Sequence, residues 1–342
     1  MIKLWVLVFF IFVGTFVSAC TTPPKPDLGV KLSEIIHQPD VISFPLKKSE
    51  HGRWIVPLRI DETHQAEMII DTGATYSAIF ETAMSRLELV SNPEKTIRVH
   101  GLVTQGTTNT TVANKVEFGQ HYLGSKTFAV LPNDDPDEDY IEPFDGVLGM
   151  DVLERYKLYI SAGNEIIYFI PAGEKAIEKP NQFIEIDLYS NPYNDLAQGL
   201  HFYDLSVKNK NVPALLDTGN DVHIINWHAA TFVEARSLRS RLRWQWEVAG
   251  AIGEFKPVVT ANIRNLKSGR YEWEDTIMII KDTDSLDFIG VADNPFIVAG
   301  VELFDERDVF IDFENNKLWL QPPPDLKIDK TLSICANCPD HS

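Results

Sequence analysis

Two tetrapeptides place carboxylates where they could do chemistry: Asp71-Thr72-Gly73-Ala74 and Asp217-Thr218-Gly219-Asn220. An acid at the end of an apolar run, followed by Thr and Gly, suits a sharp turn that holds the side chain still. Glycine permits a close backbone approach there, and its N–H is free to donate to the carboxylate. One such loop reads equally well as an ordinary strand-end turn. Two loops related by a repeat predict a pseudo-two-fold axis with the acids face to face. At about 3 Å and an effective dielectric of about 20, two ionised carboxylates repel by roughly 5 kcal/mol. Such a pair shares one proton. One member is then a base that activates water, and the other an acid that protonates a carbonyl oxygen. The chemistry open to the pair is amide hydrolysis without a covalent intermediate on the protein.

The elements that must position these acids occur twice. Trp54 to Ile60 and Ala66 to Ile70 are strand-like runs around a polar turn at Asp61 to Gln65, and the second run ends at Asp71. Leu200 to Val207 and Val212 to Leu216 flank Lys208 to Asn211, and the second of these ends at Asp217. Downstream, Phe144-Asp145-Gly146-Val147-Leu148-Gly149 is matched by Phe296-Ile297-Val298-Ala299-Gly300. Gly149 stands 11 positions before Ile160 and 22 before Pro171, and Gly300 stands 11 before Ile311 and 22 before Pro322. Each closing stretch holds two further strand-like runs, Lys157 to Ile160 with Ile166 to Ile170, and Val309 to Phe313 with Lys317 to Leu320. A repeat with this register points to one architecture built twice in a single chain. Trp227 to Leu242 reads as the clearest helix, with Arg236, Arg239, Arg241 and Arg243 on a solvated face.

The paired motifs resemble those of the aspartic peptidases, both the two-lobed pepsin-like enzymes and the retropepsin-like domains, to which Asp71-Thr72-Gly73-Ala74 is especially similar. The resemblance covers roughly residues 41–323. It implies an all-β, bilobal acid-protease fold with an N-terminal lobe at 41–171, a linker at 172–182, a C-terminal lobe at 183–323 and a tail at 324–342. It also implies Asp71 and Asp217 as the catalytic dyad, with Thr72, Gly73, Ala74, Thr218, Gly219 and Asn220 forming the active-site loops. Thr72 and Thr218 would be cross-bonded beneath the acids, and Leu148-Gly149 and Ala299-Gly300 would be their apolar supports. A flap would fall at Gly101, Leu102, Val103, Thr104, Gln105 and Gly106, a stretch that otherwise reads as a plain surface hairpin. Val248 to Gly253 occupies the equivalent place in the second half.

The activity implied is endopeptidase cleavage of extended polypeptide segments, because a flap and a β-rich cleft pair main chain as an added strand. The alternative is a non-catalytic, peptide-binding lipoprotein with a degenerate fold of the same kind. Two departures bear on that choice. Ala74 is normal for retropepsin-like domains, but Asn220 is normal for neither group, and His223 follows Asp217 by only six residues. His223 is read as pointing into solvent. Ala74 lacks the hydroxyl that would lower a carboxylate pKa, so the pair should stay singly protonated towards neutral pH. Asn220 could supply a donor through its amide, which would leave the charge on Asp217.

The remaining features bound where the chain works. Its 342 residues suit two domains, with 44% hydrophobic and 23% charged residues, close to globular averages. Residues 1–19 read as a signal peptide, with Lys3 followed by the apolar run Leu4 to Val17 and the small residues Ser18-Ala19. Val17-Ser18-Ala19-Cys20 resembles a bacterial lipobox, which implies lipid on Cys20, a tether over 20–40 and an outer-membrane anchor facing the periplasm; an uncleaved N-terminal anchor is the other reading. Cys335 and Cys338 are expected to form a local disulfide in that oxidising compartment. The net charge of −18 repels nucleic acid. Asn133 to Asp139 is acidic but lacks calcium-loop spacing, so no metal is expected, and no cofactor motif is present. The expected partners are a peptide or protein substrate and the membrane, through the lipid on Cys20. A monomer is expected, since the intact linker and the different second halves argue against one half pairing with another molecule.

Overall fold

The computed structural model describes residues 29–322, apart from 101–104, 133–143, 174–175, 198, 236–245, 249–255 and 274. The leader, Cys20, the flap residues Gly101 to Thr104, the acidic run, most of the second-half counterpart of the flap, Cys335, Cys338 and the C-terminal tail lie outside the described residues. The fold is all-β, with only short helices.

The apolar runs become strands because their neighbours leave no room for a 3.6-residue period. In Trp54–Ile60 every residue but Pro57 and Arg59 is buried, and the turn at Asp61 and Glu62 takes positive φ at both residues. Positive φ at consecutive turn residues suits the right-handed twist of the flanking strands. Lys208 and Asn209 do the same between His201–Val207 and Lys210–Leu216. In the first half, His64–Ile70 lies parallel to Gly146–Leu148, which lies antiparallel to Ala78–Phe80, itself parallel to His121–Leu131. The same order recurs with Lys210–Leu216, Ile297–Ala299, His223–Ile225 and Thr276–Ile280. The two sheets, of eight and ten strands, therefore each bring an Asp-bearing strand to their centre.

A third, six-stranded antiparallel sheet takes three strands from each half. Its middle pair joins Tyr156–Ser161 to Val309–Asp312, with Leu158 opposite Ile311. All six residues of the first of these strands are buried, Lys157 among them, whose ammonium group lies 3.0 Å from Glu314 and 3.4 Å from Asp312. One large core draws apolar residues from all three sheets between Ile42 and Leu320, with smaller apolar clusters beside it.

Three expectations need correction. Residues 29–40 are not a free tether, because Val30–Lys31 pairs with Ile177–Glu178 of the expected linker, and the helix Leu32–Ile35 follows at once. Leu32 and Ile35 are buried against Tyr159, Tyr168, Phe310 and Trp319, so their apolar side chains have a surface to cover. For the same reason the expected linker is tied down at residues 177–178. The expected long helix stops at Trp227–Phe232. Lys208 donates to the carbonyls of Val233 and Glu234, and Lys210 to that of Phe232, so two cations satisfy the helix C-terminus. Glu234 then turns the chain with positive φ.

Candidate active site

Asp71 and Asp217 end the strands His64–Ile70 and Lys210–Leu216, and the strand that runs parallel to each fixes the backbone of its acid. Asp71 N–H donates to Leu148 O at 3.0 Å, and Asp217 N–H donates to Ala299 O at 3.1 Å. One residue later the two loops lock together. Thr72 N–H donates to Thr218 Oγ1 at 3.2 Å, and Thr218 N–H to Thr72 Oγ1 at 3.1 Å. Each hydroxyl donates onward across the junction, Thr72 to Leu216 O and Thr218 to Ile70 O, both at 2.7 Å. Both threonines are fully buried, so these four bonds have no competing water.

The glycines set how closely the acids approach. Gly73 N–H donates to Asp71 Oδ1 at 2.9 Å, and Gly219 N–H to Asp217 Oδ1 at 3.1 Å. A Cβ on Gly73 would lie 2.5 Å from Asp217 Cγ and Oδ1, and one on Gly219 would lie 2.5 Å from both carboxylate oxygens of Asp71. Each carboxyl group thus fills the space that the opposite glycine leaves open. The supporting glycines are as confined: a Cβ on Gly149 would meet Tyr76 and Ala74 carbonyls, and one on Gly300 those of Val222 and Asn220.

The electrostatics of the pair are unequal. Burial raises the pKa of both acids. For Asp71 the rise is opposed by the N–H groups of Gly73 and Ala74, by a hydrogen bond from Asp217 and by the charge of Arg53. For Asp217 the neighbouring charge of Asp71 and the hydrogen bond to it add to burial, and its pKa stands well above the usual carboxylate range. Both acids are therefore harder to ionise than a free carboxyl group, as members of a pair that shares one proton must be. The donor expected of the Asn220 amide is not supplied to Asp217: its Nδ2 has no hydrogen-bond partner among the described residues. Asn220 acts on Asp217 through its backbone N–H, while its side-chain Oδ1 accepts from Val222 N–H at 3.4 Å.

His223 is also corrected: it is buried. Gly300 N–H donates to its Nδ1 at 3.0 Å, and its Nε2 lies 3.3 Å from Glu302 Oε2. His223 in turn holds the Glu302 carboxyl below its ordinary range. The first half builds the same contact from smaller residues. Gly149 N–H donates to Ser77 Oγ at 3.1 Å, and Ser77 Oγ donates to Asp151 Oδ1 at 2.7 Å, with Lys126 on the same carboxylate. Ser77 lies six residues past Asp71, as His223 does past Asp217, and Asp151 and Glu302 each follow a supporting glycine by two. The repeat, applied to these offsets, would have exposed both pairs in the sequence.

This equivalence makes a prediction. His223→Leu leaves Gly300 N–H buried without an acceptor and should cost about 1–3 kcal/mol in denaturant melts, with a matching loss of activity. His223→Asn offers an oxygen where Nδ1 stood and should lose much less; equal losses in the two variants would assign His223 to packing alone.

Of the expected flap, Gln105 and Gly106 start the strand Gln105–Phe118, which pairs with Ser91–His100 up to His100 opposite Gln105. Two surface cavities, of about 530 Å³ near Asp61 and Glu88 and about 470 Å³ near His121 and Arg155, include neither acid in their linings.

Residues 56–152 match the family model for aspartyl protease. The match takes in Asp71, its loop and the Leu148-Gly149 support, and it spans well under half of the chain. It supports aspartic protease function in general terms and says nothing of substrate. No curated protein matches the chain.

Proposed function

We propose that the chain is an aspartic endopeptidase in which Asp71 and Asp217 hydrolyse extended polypeptide segments. One observation supports this most: two strand-end carboxyl groups from different halves are interlocked so that each fills the space beside the other's glycine. In this reading Asp71 carries the charge and Asp217 the proton, and the roles divide. Asp71 takes a proton from a water held between the two acids as the water oxygen attacks the scissile carbonyl carbon. Asp217 gives its proton to the carbonyl oxygen. Collapse of the tetrahedral intermediate breaks the C–N bond as one of its hydroxyl groups returns a proton to Asp217, and the amine leaves with the proton that Asp71 had taken. No cofactor enters any step.

The test is digestion of a peptide library from mildly acidic to neutral pH, with fragments identified by mass and the Asp71→Asn variant as control. Cleavage by wild type alone supports the reading. No cleavage at any pH replaces it with that of a peptide-binding protein.

The proposal extends to location, in that lipid on Cys20 would hold the enzyme at the outer membrane, working in the periplasm as a monomer. Residues 29–35 are docked on the six-stranded sheet, so any tether between lipid and folded part is confined to the residues before them. Cys20→Ser should release the protein from the membrane fraction or leave it unprocessed, as read by fractionation and gel migration; unchanged behaviour on both counts would remove the lipid anchor.

A further inference from the structure

The two halves differ at the position that faces each acid across its hairpin. In the first half Ile55 stands opposite Ile69 and Val56 opposite Met68, so counting back along the ladder puts Arg53 across from Asp71. In the second half Phe202 stands opposite Leu215, which puts Leu200 across from Asp217. Directly opposed residues of an antiparallel pair have Cα atoms about 4.5–5.5 Å apart. At the facing ladder position one acid thus has an arginine and the other a buried leucine.

Arg53 is held in place from several directions. Its N–H donates to Ser49 Oγ at 3.1 Å and its carbonyl accepts from Ser49 N–H at 2.8 Å, which closes the turn before Trp54–Ile60. Its guanidinium lies over the Phe144 ring, 4.9 Å from the centroid. Phe144 is itself buried against Ile55 and Ile69, two residues before the strand Gly146–Leu148 that supports Asp71. A half-buried cation stacked on a ring keeps its charge close to the site and partly shielded from water.

We propose that Arg53 is a positioning residue for the dyad: from its place across the hairpin from Asp71 it keeps the negative charge on Asp71 and the shared proton on Asp217, and so fixes which acid is the base. This rests on the peptidase reading of the site. Burial raises the Asp71 pKa most and leaves it raised, while Arg53, Asp217 and the N–H groups of Gly73 and Ala74 each pull it back down. The remaining charges near Arg53 are engaged or exposed. Asp145 beside Phe144 is paired with Arg86, Lys47 with Glu67 and Lys48 with Asp305, while Glu50 and His51 on the same turn are exposed. The charge of Arg53 acts on Asp71 in the direction that favours its ionised form.

The experiment compares wild type with Arg53→Leu, which copies the residue facing Asp217, and with Arg53→Lys, which restores the charge without the planar stack. Carboxyl carbons of the aspartates, labelled with ¹³C, are titrated by NMR, and the pH profile of kcat/KM is measured beside them. Arg53→Leu should raise the lower apparent pKa of the dyad by about one unit, move the acidic limb of the profile upwards equally, and be largely corrected in Arg53→Lys. A purely structural role would lower the rate at every pH without moving the limb, and an unchanged carboxyl titration in Arg53→Leu overturns the inference even if peptides are cleaved. A shifted titration in a protein that cleaves nothing would leave the inference standing and remove the peptidase reading.

Discussion

Asp71→Asn and Asp217→Asn should each lower peptide hydrolysis by about 10²- to 10⁴-fold, the range spanned by a single acid or base in its transition state. Neither change should unfold the protein. An Asn at 217 can still donate to Asp71 as the protonated acid does, and the four bonds of Thr72 and Thr218 do not involve the carboxyl groups. Stability should move against activity. The folded-state pKa of Asp217 is raised by burial and by the charge of Asp71, so the folded state binds its proton more tightly than the unfolded state does. Stability from this group is fully present below the ordinary carboxylate range and is lost as pH rises through the elevated pKa. Asp217→Asn removes that titration, so its melting temperature should exceed that of wild type near neutral pH, with the gap closing as pH falls. The checks are cleavage rates and thermal melts across that range. Equal cleavage with either acid replaced would take the dyad out of the mechanism.

Much of this site was open to reading because the repeat supplied an internal comparison. Asp71 and Asp217 are recognisable from apolar runs that end in the same tripeptide, and the Gly149 and Gly300 supports from shared spacing. Local pattern does not reach what depends on contacts distant in sequence. That Tyr156–Ser161 and Val309–Asp312 exist follows from their composition; that they pair, with Leu158 opposite Ile311, does not. Leu32 and Ile35 follow a Pro-rich stretch and read as its continuation until the surface they cover is known. Past the helix Trp227–Phe232, alanine and spaced apolar residues continue to favour helix, whereas Lys208 and Lys210 arrive from another hairpin to end it. Nothing local in the sequence ties His223 down, so by itself it reads as pointing into solvent. Its burial follows from the backbone N–H of Gly300, which needs an acceptor and has one only there. Arg53 escaped for a simpler reason: its relation to Asp71 runs across a hairpin, and reading it requires the register of Ile55 against Ile69.

The closeness of the two loops yields the other large effect. Gly73→Ala would put a methyl group 2.5 Å from the Asp217 carboxyl, and Gly219→Ala would put one 2.5 Å from both oxygens of Asp71, so something must move. The threonine bonds beneath resist separation, since each Thr N–H and hydroxyl is tied to the opposite loop in a fully buried setting. The carboxyl groups are the parts that can give, by rotating away from the Gly N–H donors that hold them. Overpacking of this kind costs about 1–3 kcal/mol, and a displacement of about 1 Å at reacting groups costs about 10²-fold in rate. Each alanine variant should therefore fold with reduced stability and lose about 10²-fold or more in kcat. The same exchange at Gly163, where a Cβ would meet nothing within 4 Å, should leave the rate unchanged. Melts and single-turnover rates on the three variants decide the matter: full activity in Gly73→Ala or Gly219→Ala would mean that the carboxyl groups do not stand as close as their loops place them, and the shared proton would lose its physical basis.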